Sequence, residues 1–158
     1  IRLSLVGSEM CIRDRAGAEA LVLKVINSAQ QELRLAAYSY TSLSVTKALV
    51  SAKKRGVDVR LVVDDKRNRD KSNIAALSLL VTAGIPVRIN SFYALHHDKY
   101  IIVDGRHVQN GSFNYSRGAA KSNSENVLVI WNDTNLAAAF LQHWQSRWDQ
   151  GSAFVAPY

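Results

Sequence analysis

His97 and Lys99 stand two residues apart, and Asp104, Gly111, Ser112 and Asn114 follow within the next fifteen or so positions. Together they offer an imidazole, an ammonium, a hydroxyl and a side-chain amide around the apolar run Tyr100-Ile101-Ile102-Val103. On an extended backbone residues two apart share a face, so His97 and Lys99 can meet one substrate group. Such a set suits phosphate chemistry. A phosphodiester is anionic and resists nucleophilic attack, so a site must neutralise it and hold it in line. Lys99, Ser112 and Asn114 can donate to non-bridging oxygens, and imidazole, which titrates near neutrality, can serve as both nucleophile and acid. His97 is the candidate attacker. Taken singly, each residue has a plainer reading, a core histidine or a strand-edge lysine; the combination points to chemistry.

The elements that must position this set are legible from periodicity. Residues 18–31 carry Leu21, Val22, Val25, Ile26 and Ala29 at helical spacing, and 33–39 read as a strand ending in Tyr38, Ser39 and Tyr40. A helix over 44–55, capped from Thr41 or Ser42 and ended by Gly56, precedes an alternating strand over 57–63. The polar loop 64–71 holds Arg67 and Arg69, candidate contacts for a phosphate backbone that also suit a solvated surface loop. Asp64 and Asp65 lack a matching carboxylate cluster near the histidine, so no metal site is expected. A short helix over 74–83 and a short strand over 86–89 lead to a loop delivering His97; His96, His107 and His143 are read as non-catalytic.

The pair Asp104-Gly105 signals a turn, making 100–103 and 107–110 a hairpin. Asp104 beside it is expected to brace the loop, while Gly111 lets backbone approach the anion. A polar connector over 115–124 offers Arg117 and Lys121 to a nucleic-acid backbone. Glu125 opens a strand over 126–131, and Asp133 or Thr134 caps a last helix whose stripe Ala137, Phe140, Leu141, Trp144 and Trp148 reads as core. Residues 151–158 read as a tail.

The spacing His-x-Lys, four residues, Asp, six residues, Gly-Ser-x-Asn resembles the signature of the phospholipase D superfamily, and most closely its small single-motif bacterial endonucleases. The likeness runs from about Ala16 and includes Ala37-Tyr38-Ser39-Tyr40, Ser124-Glu125-Asn126 and His143-Trp144-Gln145-Ser146-Arg147-Trp148. It implies an α/β fold with a mixed, mostly buried sheet flanked by helices on both faces. It also implies a covalent phosphohistidine on His97, catalytic roles for Lys99, Ser112, Asn114 and Asp104, and a Glu125 that orients the histidine. With one copy of the motif and no internal repeat, the shared site is expected to form by homodimerisation. No cofactor and no metal are implied. Hydrolysis of phospholipid headgroups, or binding of nucleic acid without catalysis, are the alternatives that share these residues.

At 158 residues the chain suits one domain, and its 47% hydrophobic and 21% charged composition is ordinary for a globular protein. No apolar run approaches the ~20 residues of a membrane span, so no stable membrane association is expected. The net charge of +7 attracts polyanions, which joined to the motif favours DNA, or RNA, cut without sequence preference. Cys11 is the single cysteine, so no internal disulfide can form. It sits in Ser8-Glu9-Met10-Cys11-Ile12-Arg13-Asp14-Arg15, which resembles a translated sequencing adaptor. Residues 1–15 are therefore expected to be a non-native leader outside the fold, with 16–158 the nuclease domain. A missing N-terminus that carried an export signal would place the protein in the bacterial periplasm or outside the cell.

Overall fold

The computed structural model describes residues 7–11 and 17–157. Its centre is β2 (Glu32–Ala37), whose residues after Glu32 are all buried because both of its faces are covered. On one side β3 (Asp58–Asp64) and β4 (Val87–Asn90) run parallel to it, reached through α2 (Leu43–Lys54) and α3 (Lys71–Thr82). Helical crossovers are what parallel neighbours require. On the other side β5 (Tyr100–Val103) pairs antiparallel with β2, and β6 (His107–Gly111) and β7 (Val127–Trp131) continue antiparallel. The eight-stranded mixed sheet is completed at its edges by β1 (Gly7–Cys11) beside β7 and β8 (Ser152–Ala153) beside β4.

Alternation along β2 explains the two layers. Leu33, Leu35 and Ala37 join the core beneath α1 (Gly17–Ser28) and α2, while Ala36 faces the opposite cluster with Trp144 and Trp148 of α5 (Thr134–Gln150). Arg34, on that second face, lies 5.4 Å from the Trp144 ring centroid and pairs with Glu32 at 3.0 Å and Asp58 at 2.7 Å. The Trp144 indole donates to the Leu35 carbonyl at 2.9 Å, which fixes α5 on the sheet. Ser42 caps α2 by accepting from the Val45 amide, and Asp133 caps α5 by accepting from the Leu136 amide.

Several boundaries differ from the periodicity reading, each for a local reason. The first helix stops at Ser28 rather than 31, because the Asp104 carboxylate takes the amides of Gln30, Gln31 and Glu32 at 3.1, 2.8 and 3.0 Å. The third starts at Lys71 rather than 74; its first turn is polar, and Asn73 is buried there, donating to the Tyr40 carbonyl at 3.0 Å. The connector after Tyr115 contains α4 (Arg117–Lys121), capped by Ser116. The expected tail supplies β8, since β4 would otherwise leave an open edge. Residues 7–11, read as lying outside the fold, pair with β7 from Gly7 opposite Trp131 to Cys11 opposite Val127. Main-chain pairing along an open edge asks little of side chains, so the residue types there did not forecast a strand.

Asp104 sits at φ 54°, in the left-handed region, as the first central residue of the turn before β6. Its carboxylate closes the start of β2 from 70-odd residues away in sequence. Asp104→Ala should therefore lower folding stability by roughly 2–3 kcal/mol, from lost charge-assisted hydrogen bonds and the strained φ. Denaturant unfolding checks the loss, and turnover per folded molecule should stay near wild type.

Candidate active site

The carboxyl ends of β2, β3 and β4, the start of β5, the end of β6 and the start of β7 meet at one edge of the sheet. Asp64, buried at the end of β3, ties that edge together: it accepts from the His96 amide at 2.7 Å and from the Arg67 amide at 2.7 Å. Both carboxylate oxygens of Asp64 are thereby engaged by backbone amides. Among the described residues no cluster of three or more histidine, cysteine or acidic side chains is placed to hold a metal ion.

His97 and Lys99 lie on the extended segment entering β5. His97 is exposed, whereas Lys99 is 8% exposed. The Lys99 ammonium donates to the His97 carbonyl at 2.9 Å and stands 3.2 and 3.3 Å from the two ring nitrogens, Nδ1 and Nε2. Burial pushes the Lys99 ammonium below the ordinary lysine range; the charges of Glu125 and Asp98 oppose that shift. Tyr38, from the end of β2, packs its ring 4.6 Å from the His97 ring, and its centroid is 5.5 Å from the Lys99 nitrogen. Tyr40 points inward and only packs, its hydroxyl bonded to Thr46 at 2.9 Å.

Ser112 and Asn114 follow β6 and line the same open cleft of about 720 Å³ as His97 and Lys99. The Asn114 Oδ1 is buried with no hydrogen-bond partner among the described residues. Ser112 donates to the Glu125 carboxylate and accepts from the Asn126 amide at 3.0 Å. Gly111 is required by the neighbouring strand: a Cβ there would stand 2.1 Å from the Asn126 carbonyl oxygen. Gly111 also lines the cleft, so its backbone borders the space an anion would occupy.

Glu125 binds Ser112 and, at 3.1 Å, the Asn123 amide, and reaches the His97–Lys99 pair through its charge on Lys99. A direct orienting bond to His97 is not what one chain shows; Glu125 lies at the start of β7, with β6 between it and β5. Asp104 is at the far end of β5 from His97, engaged with β2, so the structure separates it from the cleft and gives it a bracing role. The four basic residues lie on the same edge outside the cleft. Arg67 and Arg69 pair with Asp70 at 3.1 Å and Asp65 at 2.7 Å, and Arg117 and Lys121 border a separate cavity with Glu19 and Thr41.

Sequence reasoning missed the opposite wall. Tyr100, Phe140 and His143 line the cleft, and the Tyr100 hydroxyl shares a 2.8 Å hydrogen bond with His143 Nδ1. Asp98 stands between His96, at 3.2 Å, and His143, at 4.0 Å. Burial is the largest single influence on the Asp98 carboxyl and pushes it up, but the His96 contact and the charges of His96, His143 and Arg147 together outweigh it and hold the carboxyl below its usual range. The signal was available, since Phe140 and His143 are three apart on a helix and so share a face.

Comparison with known proteins identifies the family and the fold. The family described as the cardiolipin synthase, PLD-like domain, matches residues 22–148. A phospholipase D of Rickettsia conorii is 36% identical over 137 residues, covering 87% of this chain and 67% of that protein. A mitochondrial cardiolipin hydrolase of Chlamydomonas reinhardtii is 34% identical over 80% of this chain and 56% of its own length. The crystal structure of Nuc from Salmonella typhimurium, a phospholipase D family member, superposes with a TM-score of 0.93 at 45% identity, covering 95% of this chain and 99% of that one. The chain belongs to the phospholipase D superfamily, with a phosphodiesterase site of that family's type.

Proposed function

We propose that the protein is a metal-independent endonuclease that cleaves DNA, and RNA as a secondary substrate, without sequence preference. The observation that carries this reading is an exposed imidazole held against a buried ammonium in a cleft that also presents Ser112 and Asn114. A ring nitrogen of His97 attacks phosphorus while the bond to the leaving oxygen breaks. That oxygen takes a proton from His97 of the partner subunit. The same partner imidazole then removes a proton from water, the hydroxide attacks phosphorus, and the P–N bond breaks to free the enzyme. Lys99, Ser112 and Asn114 of both chains stabilise charge on the equatorial oxygens. Glu125 positions Ser112 and supports the charged form of Lys99.

Nucleic acid is favoured over lipid by the net charge of +7 and by the basic residues Arg67, Arg69, Arg117 and Lys121 on the active edge. None of the described helices is long and apolar enough to cross a membrane. The lipid reading rests on relatives named phospholipase D and cardiolipin hydrolase. Purified protein is added to supercoiled plasmid and to phosphatidylcholine vesicles, each with millimolar chelator. Nicking of plasmid should persist undiminished, because nucleophile, acid and stabilising cation are all side chains. Activity lost with chelator and restored by magnesium or zinc would refute the mechanism; release of choline with intact plasmid would favour the lipid reading.

A further inference from the structure

The cleft, at about 720 Å³, is far larger than a phosphate group and falls in the range of sites that enclose a drug-sized ligand. His97, Lys99, Ser112 and Asn114 account for one side. The other is aromatic. Tyr100 and Phe140 meet edge to face with centroids 5.0 Å apart, and the His143 ring lies 5.8 Å from Tyr100. Phe140 and His143 are only partly buried, so their outer surfaces face the cleft. Asn110, opposite Tyr100 on β6, is exposed and adds an amide to the same wall.

We propose that the wall formed by Tyr100, Phe140 and His143 is a nucleoside subsite that stacks a base beside the scissile phosphate. This deepens the nuclease reading and rests on it. A base offers a flat π-face to Phe140 and a polar edge to His143 and Asn110, and base–aromatic stacking tolerates any sequence. An acyl chain has no polar edge and would cover the imidazole and the amide without pairing them, which costs free energy. The hydrogen bond to Tyr100 fixes the His143 ring, and burial pushes its pKa below the ordinary range, favouring the neutral imidazole. Asp98 opposes that shift, while Arg147 and His96 reinforce it. With two clefts brought together in a dimer, the two walls take the nucleosides on either side of the phosphate.

The test compares two diesters with the same leaving group, thymidine 5′-(4-nitrophenyl phosphate) and methyl 4-nitrophenyl phosphate, on wild type and Phe140→Leu. Leucine keeps apolar bulk and removes the π-face. Wild type should prefer the thymidine ester in kcat/KM, and Phe140→Leu should shrink that preference by about fivefold or more, through the KM for the thymidine ester. Phe140→Trp should restore it. Equal rates on both esters in wild type, an unchanged preference in Phe140→Leu, or an equal loss on both esters would overturn the subsite while leaving the nuclease reading intact. Wild type that hydrolyses phosphatidylcholine vesicles and neither ester would overturn both. A Phe140→Leu variant impaired on vesicles alone would assign the wall to an acyl chain and overturn the subsite.

Discussion

Protein refolded from equal amounts of wild-type and His97→Asn chains should retain about a quarter of wild-type nuclease activity, if two subunits build one site. Asparagine approximates the size of the imidazole and keeps hydrogen bonding, but it can neither attack phosphorus nor pass a proton to a leaving group. The pure variant should therefore be inert while folding normally, because His97 is exposed, with its ring against Tyr38 and Lys99 rather than in the core. Random pairing leaves both histidines only in wild-type homodimers, so activity follows the square of the wild-type fraction. A chain that works alone, or a dimer with independent sites, gives a straight line instead. Light scattering on the refolded mixture must first show a dimer. A linear loss in a verified dimer removes the shared site and leaves the phosphodiesterase chemistry standing.

How far the sequence exposed this site depended on what each residue is bonded to. Where function is local in sequence, as for His97, Lys99, Ser112 and Asn114, the motif spacing and strand alternation place the residues together, and the structure brings all four to one cleft. Where a side chain works through a distant partner, spacing says little. Asp104 reads as part of the signature, yet its partners are the amides of residues 30–32, a contact no local pattern encodes. Gly111 carries a second constraint of this kind, the Asn126 carbonyl just before β7. Phe140 and His143 were hidden differently: α5 is long enough to cross from the core to the cleft, so a stripe that is core at Ala137, Trp144 and Trp148 is cleft wall at Phe140. The core strands were the most legible, because a buried face demands apolar residues at strand alternation, as over 57–63; which neighbours run parallel is set by long-range pairing that no local pattern states.

Lys99→Ala should reduce turnover by ~10²–10³ while leaving DNA affinity little changed, since removing one preorganised donor to the developing charge costs about that much. Its ammonium is buried beside the imidazole rather than displayed to solvent, so it contributes little to long-range attraction. Most of that attraction belongs to the exposed cations, and the slope of log affinity against log salt should change by less than the ~0.9 expected for a lost phosphate contact. The variant also loses the hydrogen bond to the His97 carbonyl, so part of the fall reflects a looser loop. Lys99→Arg separates the two effects. Burial lowers the pKa of Lys99, so in wild type its charge, and with it activity, is lost at a lower pH than an ordinary lysine would allow. A guanidinium stays protonated there, and the alkaline limb of the pH–rate profile should move upward in Lys99→Arg even where geometry lowers the maximum. Turnover unchanged in Lys99→Ala, with affinity and salt slope sharply reduced, would instead make Lys99 an ordinary anchor for a backbone phosphate.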